Sequence, residues 1–394
     1  MTEQRILRGI TWDHPRGIDP LRFLSDRYRT IEPDIQIEWT ARPLRSFEDV
    51  ALAELVAGHD LIAFDHPFIG AAVRDGVLLP LDGLVDGEKL TDRASDVMGP
   101  SNESYRREGR QWALAFDAAS MVAATRPDLL GASAPSTWSD TRELARELGR
   151  SRVLLAANPT HLWGTALSLC HALAASEKPD SHTACSPTVE PRWWTRDGIA
   201  PDLLSEGIQQ ARDLVELCAV ESLGSDPVDV LDRMSQTDEI VLSPLVFAYV
   251  TYARSGAMHR VRFSAAPSFT ASPVGTLTGG VGLGVVRDSP LTDAAVDFAL
   301  FATARGSQRD AAVVAGGQPA RRSSWEDAEA NLRTDGFFEA CAPTMARSFL
   351  RPRGPGYPRF QRLGAEALHE GILRGEATSR IARDIAELWT DDAV

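Results

Sequence analysis

The sequence predicts an α/β protein of two lobes, each with its own core. Three observations carry that prediction: a length of 394 residues, an opening alternation of strand, helix and strand, and a glycine-rich extended segment at residues 275–286 (GTLTGGVGLGVV). A chain roughly two to three times the usual domain length is expected to build more than one core. With 43% hydrophobic and 24% charged residues, it has the balance of a folded globular protein rather than a disordered or fibrous one.

Residues 6–11 (ILRGIT) form a short apolar run that ends near Pro15 and Gly17, as a buried strand running into a loop does. A helix is expected from about Asp19, with Pro20 in its first turn and Leu21, Leu24 and Tyr28 on one face. Pro33 and Asp34 break it, and Ile35, Ile37 and Trp39 alternate as a second strand. Strand, helix, strand in this order makes a right-handed parallel unit. Residues 47–56 read as helix, and 60–64 (DLIAF) as a continuous apolar strand of the kind that fills a parallel sheet.

An extended run at residues 111–116 stops at Asp117. A Ser or Thr in 136–139 caps the amphipathic stretch 141–148, residues 153–156 form a short strand, and 163–174 a helix. Residues 176–197, rich in Pro, Ser, Thr and His, read as a surface loop whose Trp193 and Trp194 are packing residues. Strands return at 239–242 and 261–263, and the glycine-rich segment then combines backbone freedom with β-branched residues, as a hinge crossing requires.

Several function classes are excluded. The net charge of −14 opposes a polyanionic partner, and the paired arginines at 321–322 and 351–353 are too short and isolated for a nucleic-acid surface. The four cysteines, Cys170, Cys185, Cys218 and Cys341, lack metal-finger or disulfide-framework spacing, so reduced structural thiols and no cofactor are expected. No stretch approaches the roughly 20 apolar residues of a membrane span. Residues 1–8 lack the apolar core of a secretory signal, so the chain as written is expected in the cytoplasm, or outside it if it is a mature form. Nucleotide fingerprint, Walker loop and nucleophile elbow are all missing.

In open parallel sheets, ligands bind beyond the carboxyl ends of the strands. That rule brings two similar tripeptides, Asp13-His14-Pro15 and Asp65-His66-Pro67, to one edge. Trp12 is placed there to stack on a ligand or to pack between lobes. Asp13 and Asp65 are placed to accept hydrogen bonds from a ligand or to cap the following helices. His14 and His66 are candidates for titration near neutrality, against the commoner structural histidine. A metal would need both loops to fold inward, and none is assigned. Arg16 is placed to meet an anionic group or to form a salt bridge.

The order of the motifs then becomes specific. Residues 76–82 (GVLLPLD), 108–117 (EGRQWALAFD), 135–138 (PSTW), 279–283 (GGVGL), and Gln308 followed by 316–321 (GGQPAR) resemble, in that order, the family 1 extracellular solute-binding proteins of ABC importers, relatives of the maltose-binding protein. The resemblance spans nearly the whole chain and implies a type II periplasmic-binding-protein-like fold. One lobe would comprise residues 1–117 plus 274–320, the other 118–273 plus 321–394, with the ligand between them. It places Phe116 and Asp117 at the first crossing, where the family holds ligand. Trp163, Phe247 and Tyr249 are second-lobe candidates for closing over it or for core packing, and Gly279 and Gly280 for offering backbone amides or simply bending at the crossing.

The reading implied is a monomeric binder of one small polar molecule, with an ABC permease as partner if the protein is exported. The alternative is a cytoplasmic enzyme using the two Asp-His pairs for acid/base or metal chemistry. Two features depart from the family pattern: the absence of an export signal, and the ionisable groups crowded between Trp12 and Gly17.

Overall fold

In the computed structural model, residues 4–43, 52–131, 134–177, 191, 193–270 and 272–393 are described. The chain opens with β1 (Arg5–Trp12), α1 (Pro15–Arg29), β2 (Ile35–Arg42) and β3 (Leu61–Asp65). β1 pairs in parallel with both β2 and β3, the register running from Arg5 opposite Ile35 to Trp12 opposite Arg42. The alternating pattern of 35–39 and the apolar run of 61–64 therefore form the parallel unit expected of them. α1 starts earlier than the sequence indicates: the His14 side chain caps it and Pro15 occupies its first turn, leaving Pro20 inside the helix. A proline there forgoes the bond to the carbonyl four residues back, which is why the pattern alone favours a later start.

β4 (Ala113–Ala115) completes the first sheet together with β9 (Val281–Val285), which arrives from far along the chain and runs antiparallel to both β3 and β4. The strand order is β2-β1-β3-β9-β4. Leu7, Ile10, Leu61, Ile62, Phe64, Leu283 and Val285 are all fully buried in one core with Leu21 and Leu24 of α1. Burying side chains of this size on both sheet faces is the main source of stability for such a lobe.

Immediately after β4 the chain enters a second sheet. β5 (Ala119–Thr125) is its centre, antiparallel to β6 (Leu242–Phe247), β7 (Arg262–Ser264) and β8 (Thr278–Gly279). The strand expected at 239–242 is displaced toward the C-terminus as β6. That strand contains Pro244, which cannot donate to a ladder, and the register with β5 shifts between Ser243 and Val246 to accommodate it. The stretch at 153–156 makes a single parallel bridge, Val153 to Leu242.

Around this sheet lie α2 (Trp138–Leu148), capped by Thr137, α3 (Pro159–Glu177), α4 (Pro201–Glu216), α5 (Pro227–Gln236) and, from the C-terminal region, α7 (Tyr357–Leu373). α6 (Thr292–Ala302) belongs instead with the first sheet, where Phe298 packs on Tyr28 and Trp39. Trp193 and Trp194 stack in the second core, as packing residues. Most of the loop expected at 176–197 lies outside the described residues, as do Cys185 and part of the helix expected at 47–56. Cys170, Cys218 and Cys341 are buried free thiols.

The two sheets are joined by two neighbouring crossings. Phe116, Asp117 and Ala118 link β4 to β5, and Gly280 links β8 to β9. The crossings run side by side: Phe116 and Asp117 both donate their N–H groups to the Val281 carbonyl at 3.0 Å, and Val281 N–H donates to Asp117 O at 3.2 Å. Gly280 has φ +110, and a Cβ there would run into the Asp117 carbonyl. Only glycine allows so close an approach in this conformation. Among the described residues no helix is long and apolar enough to cross a membrane.

Candidate functional site

A cavity opens where the crossings meet the sheet ends. The first sheet supplies Trp12, Arg16, Asp65 and Phe68, the crossings Asp117, Gly279 and Gly280, and the opposite side His161, Phe247 and Tyr249. About 90 Å³ is open to the centres of water-sized molecules. Trp12 ends β1, Arg16 lies in the first turn of α1, and Asp65 ends β3, so the carboxyl ends of parallel strands do converge there. The Trp12 ring lies over Gly17, where a Cβ would collide with it.

Arg16 and Asp117 form a bidentate ion pair, with Arg16 Nε donating to Asp117 Oδ2 at 2.9 Å and Nη2 donating to Oδ1. Both side chains are buried. The remaining guanidinium arm, Nη1, donates to Ala248 O at 2.9 Å, and the guanidinium carbon sits 4.5 Å over the Tyr249 ring. Each nitrogen of the Arg16 guanidinium thus donates to a protein oxygen, and the charge is paired with Asp117. Burial pushes the Asp117 carboxyl above its ordinary range, against the pull of Arg16.

Asp65 is different. Its side chain is 32% exposed, and it accepts from the His66 backbone N–H at 2.7 Å and from Arg351 Nη2 at 2.7 Å. The His66 ring Nδ1 lies 3.1 Å from Asp65 Oδ1. Burial raises the carboxyl, but the Arg351 charge and the His66 bond outweigh it and hold Asp65 at about 2. His66 is lowered to about 4 by burial and by Arg351, so at neutral pH it is an uncharged donor to Asp65.

Not every candidate reaches the cavity. Asp13 is exposed, with its N–H bonded to Arg42 O. His14 serves as the cap of α1, its Nδ1 accepting from Arg16 N–H at 3.1 Å, and its ring meets Tyr249 edge-on at 4.7 Å. Burial and Arg16 lower it to about 4. His66 lies buried behind Asp65, Phe116 in the first core, and Trp163 in the second core against Phe360. Of the two Asp-His pairs only Asp65 reaches the cavity, because His14 and His66 each begin a helical turn that directs the ring elsewhere. Among the described residues no three His, Cys, Asp or Glu side chains form a metal-holding group.

His161, Phe68, Ala119, Pro227 and Val281 complete the lining without having been singled out in the sequence. His161 follows the 153–156 stretch into α3, so the rule that points to Trp12 and Asp65 also points to it. Its backbone N–H donates to Asn158 Oδ1 at 3.0 Å, and its ring meets Phe247 edge-on at 6.1 Å.

The sequence profile described as bacterial extracellular solute-binding protein matches residues 34–335, well over half the chain. The chain belongs to that family. No curated protein sequence matches it. Among solved structures, this solute-binding protein is similar to maltose-bound MalE3 of T. maritima, at 16% identity and TM-score 0.78, over 97% of this chain and 98% of that one. It is also similar to the ribitol complex of an ABC transporter solute-binding protein from Agrobacterium radiobacter K84 (17%, TM-score 0.75, 98% of both chains). A third is UgpB from Mycobacterium tuberculosis with glycerophosphocholine (16%, TM-score 0.74, 97% of both). The two-lobed solute-binding fold follows, and the enzyme alternative finds no support. Membership in an extracellular family favours the periplasmic or extracellular mature protein over the cytoplasmic expectation.

Proposed function

We propose that this protein captures a small, neutral, hydroxyl-bearing solute in the cleft and delivers it, as a monomer, to an ABC-type permease. The cleft divides a lobe of residues 1–117 plus 274–320 from one of residues 118–273 plus 321–394; the crossings at Asp117 and Gly280 support that division except at residues 274–279, where β8 pairs with β5 in the second sheet. The observation that carries the reading is the internal neutralisation of the lining: Arg16 is engaged by Asp117 and Ala248, and Asp65 by Arg351. With Arg16 paired and no other Lys or Arg among the described lining residues, a phosphate or carboxylate would enter with its charge uncompensated, a large penalty in a buried site.

Trp12, Phe247 and Tyr249 supply apolar faces for the carbon side of a sugar or polyol, while Asp65 and the backbone around Gly279 and Gly280 meet its hydroxyls. Binding of maltose and of ribitol by proteins of the same fold agrees with this class. The test is a thermal-shift and calorimetric screen of neutral sugars and polyols against sugar phosphates, amines and carboxylates. A neutral ligand is expected to raise the melting temperature with its concentration, by mass action. Stabilisation confined to charged ligands would overturn the proposal.

A further inference from the structure

We infer that Arg351 is a positioning residue for ligand recognition: it reaches across from the C-terminal segment to fix the carboxylate of Asp65 so that a free face of that group meets a hydroxyl of the ligand. The inference rests on the proposed binding role of the cleft, and it concerns a residue that does not itself line the cavity.

Arg351 is separated from Asp65 by 286 positions in the chain, yet its Nη2 lies 2.7 Å from Asp65 Oδ2. Its other arm is anchored, with Nη1 donating to Gln361 Oε1 at 2.9 Å on α7, and the side chain is 6% exposed. The segment that carries it is docked on the first-sheet side. Arg107 Nη1 donates to Arg353 O at 2.7 Å, Arg353 Nη1 donates to Arg106 O at 2.8 Å and also to Glu103 O, and a Cβ on Gly70 would run into the Arg353 carbonyl. Arg351 is therefore a fixed cation, held at both ends before it meets Asp65.

A carboxylate has about four acceptor directions. His66 N–H and Arg351 Nη2 occupy one on each oxygen, and the His66 ring stands beside Oδ1. These contacts fix the plane of the group while its exposed part stays turned to the cavity. The same arrangement keeps Asp65 ionised, which makes it a stronger acceptor for a hydroxyl than a neutral carboxyl. Other charged or titratable groups felt at this site are Arg16, Asp117, Tyr105 and Tyr357. Arg16 is held charged by Asp117, both phenols are held neutral by burial, and Asp117 stays with Arg16, so Arg351 and His66 are the groups that bias Asp65 from outside the cleft.

The test compares the full chain with Arg351→Gln and Arg351→Lys, using an equimolar pool of neutral pentitols, hexoses and disaccharides as the probe. Stabilisation by the pool is read from pH 4 to 8, and the bound species by native mass spectrometry. The wild type is expected to bind with a flat profile above about pH 5, where His66 stays uncharged. Arg351→Gln should bind about tenfold more weakly at pH 7.5 and lose further affinity as the pH falls toward 4, because Asp65 then takes up a proton. Arg351→Lys keeps the charge and should restore the flat profile at a lower affinity. An Arg351→Gln profile parallel to the wild type would overturn the inference. Should that variant fail to fold, Arg351→Lys with wild-type affinity would do the same. If the wild type binds nothing in the pool, the proposed function fails separately. The inference is then decided by the 13C titration of the Asp65 carboxyl, whose midpoint should rise by about one pH unit or more in the glutamine variant and would sink the inference by staying put.

Discussion

Two ion pairs border the cleft, and they differ in what they leave over. Arg16 and Asp117 are both buried, and every arm of the guanidinium has a protein acceptor. Asp65 and Arg351 share a single contact, and the carboxylate remains a third exposed. The first pair joins α1, the β4 to β5 crossing and the chain just after β6. The second leaves an acceptor turned to the cavity. The lesson is that a charge in a binding site is read by its uncommitted donors or acceptors rather than by its sign.

The comparison breaks most visibly at Arg16. Arg16→Ala leaves the Asp117 carboxyl buried without its cation, and a loss of about 3–5 kcal/mol in urea unfolding is expected. The double replacement Arg16→Met with Asp117→Leu should recover much of that loss, since a packed apolar pair avoids desolvating either charge. Arg351→Ala should be milder in the same assay, at about 1–2 kcal/mol, because Asp65 can take up water on its exposed side. Equal losses at the two arginines would erase the distinction.

A second prediction concerns the crossing that brings Asp117 to Arg16. Gly280→Ala puts a methyl group against the Asp117 carbonyl at a φ that L-residues rarely adopt. Strain of about 1–3 kcal/mol is expected, read as a lower unfolding midpoint, together with weaker ligand binding. A neutral outcome would mean that the crossings move apart more readily than their paired hydrogen bonds imply.

The sequence carried the first pair only in part. Arg16 and Asp117 were both visible as residues at strand ends or crossings, but nothing in the spacing says that each is the other's partner 101 positions away. The Asp-His tripeptides were visible as a repeat, and the strand-end rule brought Trp12 and Asp65 to the same edge. The rule fixes the place of a segment, whereas the direction of each side chain depends on local geometry. His14 turned to cap α1 and His66 turned inward, so the repeat in the sequence is not a repeat in the site. Arg351 reads in the sequence as part of a short basic segment, since its role depends on where residues 350–356 dock beside the first sheet. The fold was more legible because it follows from hydrophobic periodicity and from the order of the family motifs, both of which are spread over many residues.

The smallest expected effect sharpens the comparison through His14, which stands beside the first pair. Its folded value of about 4 lies below the ordinary 6.5, so it is neutral in the native state and takes up a proton on unfolding across that window. Unfolded chains then bind more protons than folded ones, and stability falls as the pH drops from 6.5 toward 4. For one such histidine the loss between pH 6.5 and 5.5 is about 1 kcal/mol. His66 and His171 are lowered to about 4 as well and burial lowers His59 too, so His14 is one of several histidines that add to the loss in the wild type. His14→Asn keeps a side chain able to cap α1 but cannot titrate, and should reduce the loss between pH 6.5 and 5.5 by about 1 kcal/mol. An unchanged slope would mean that His14 is hydrated and charged in the folded protein, and that the Arg16 side of the cleft is more open to water than its burial indicates.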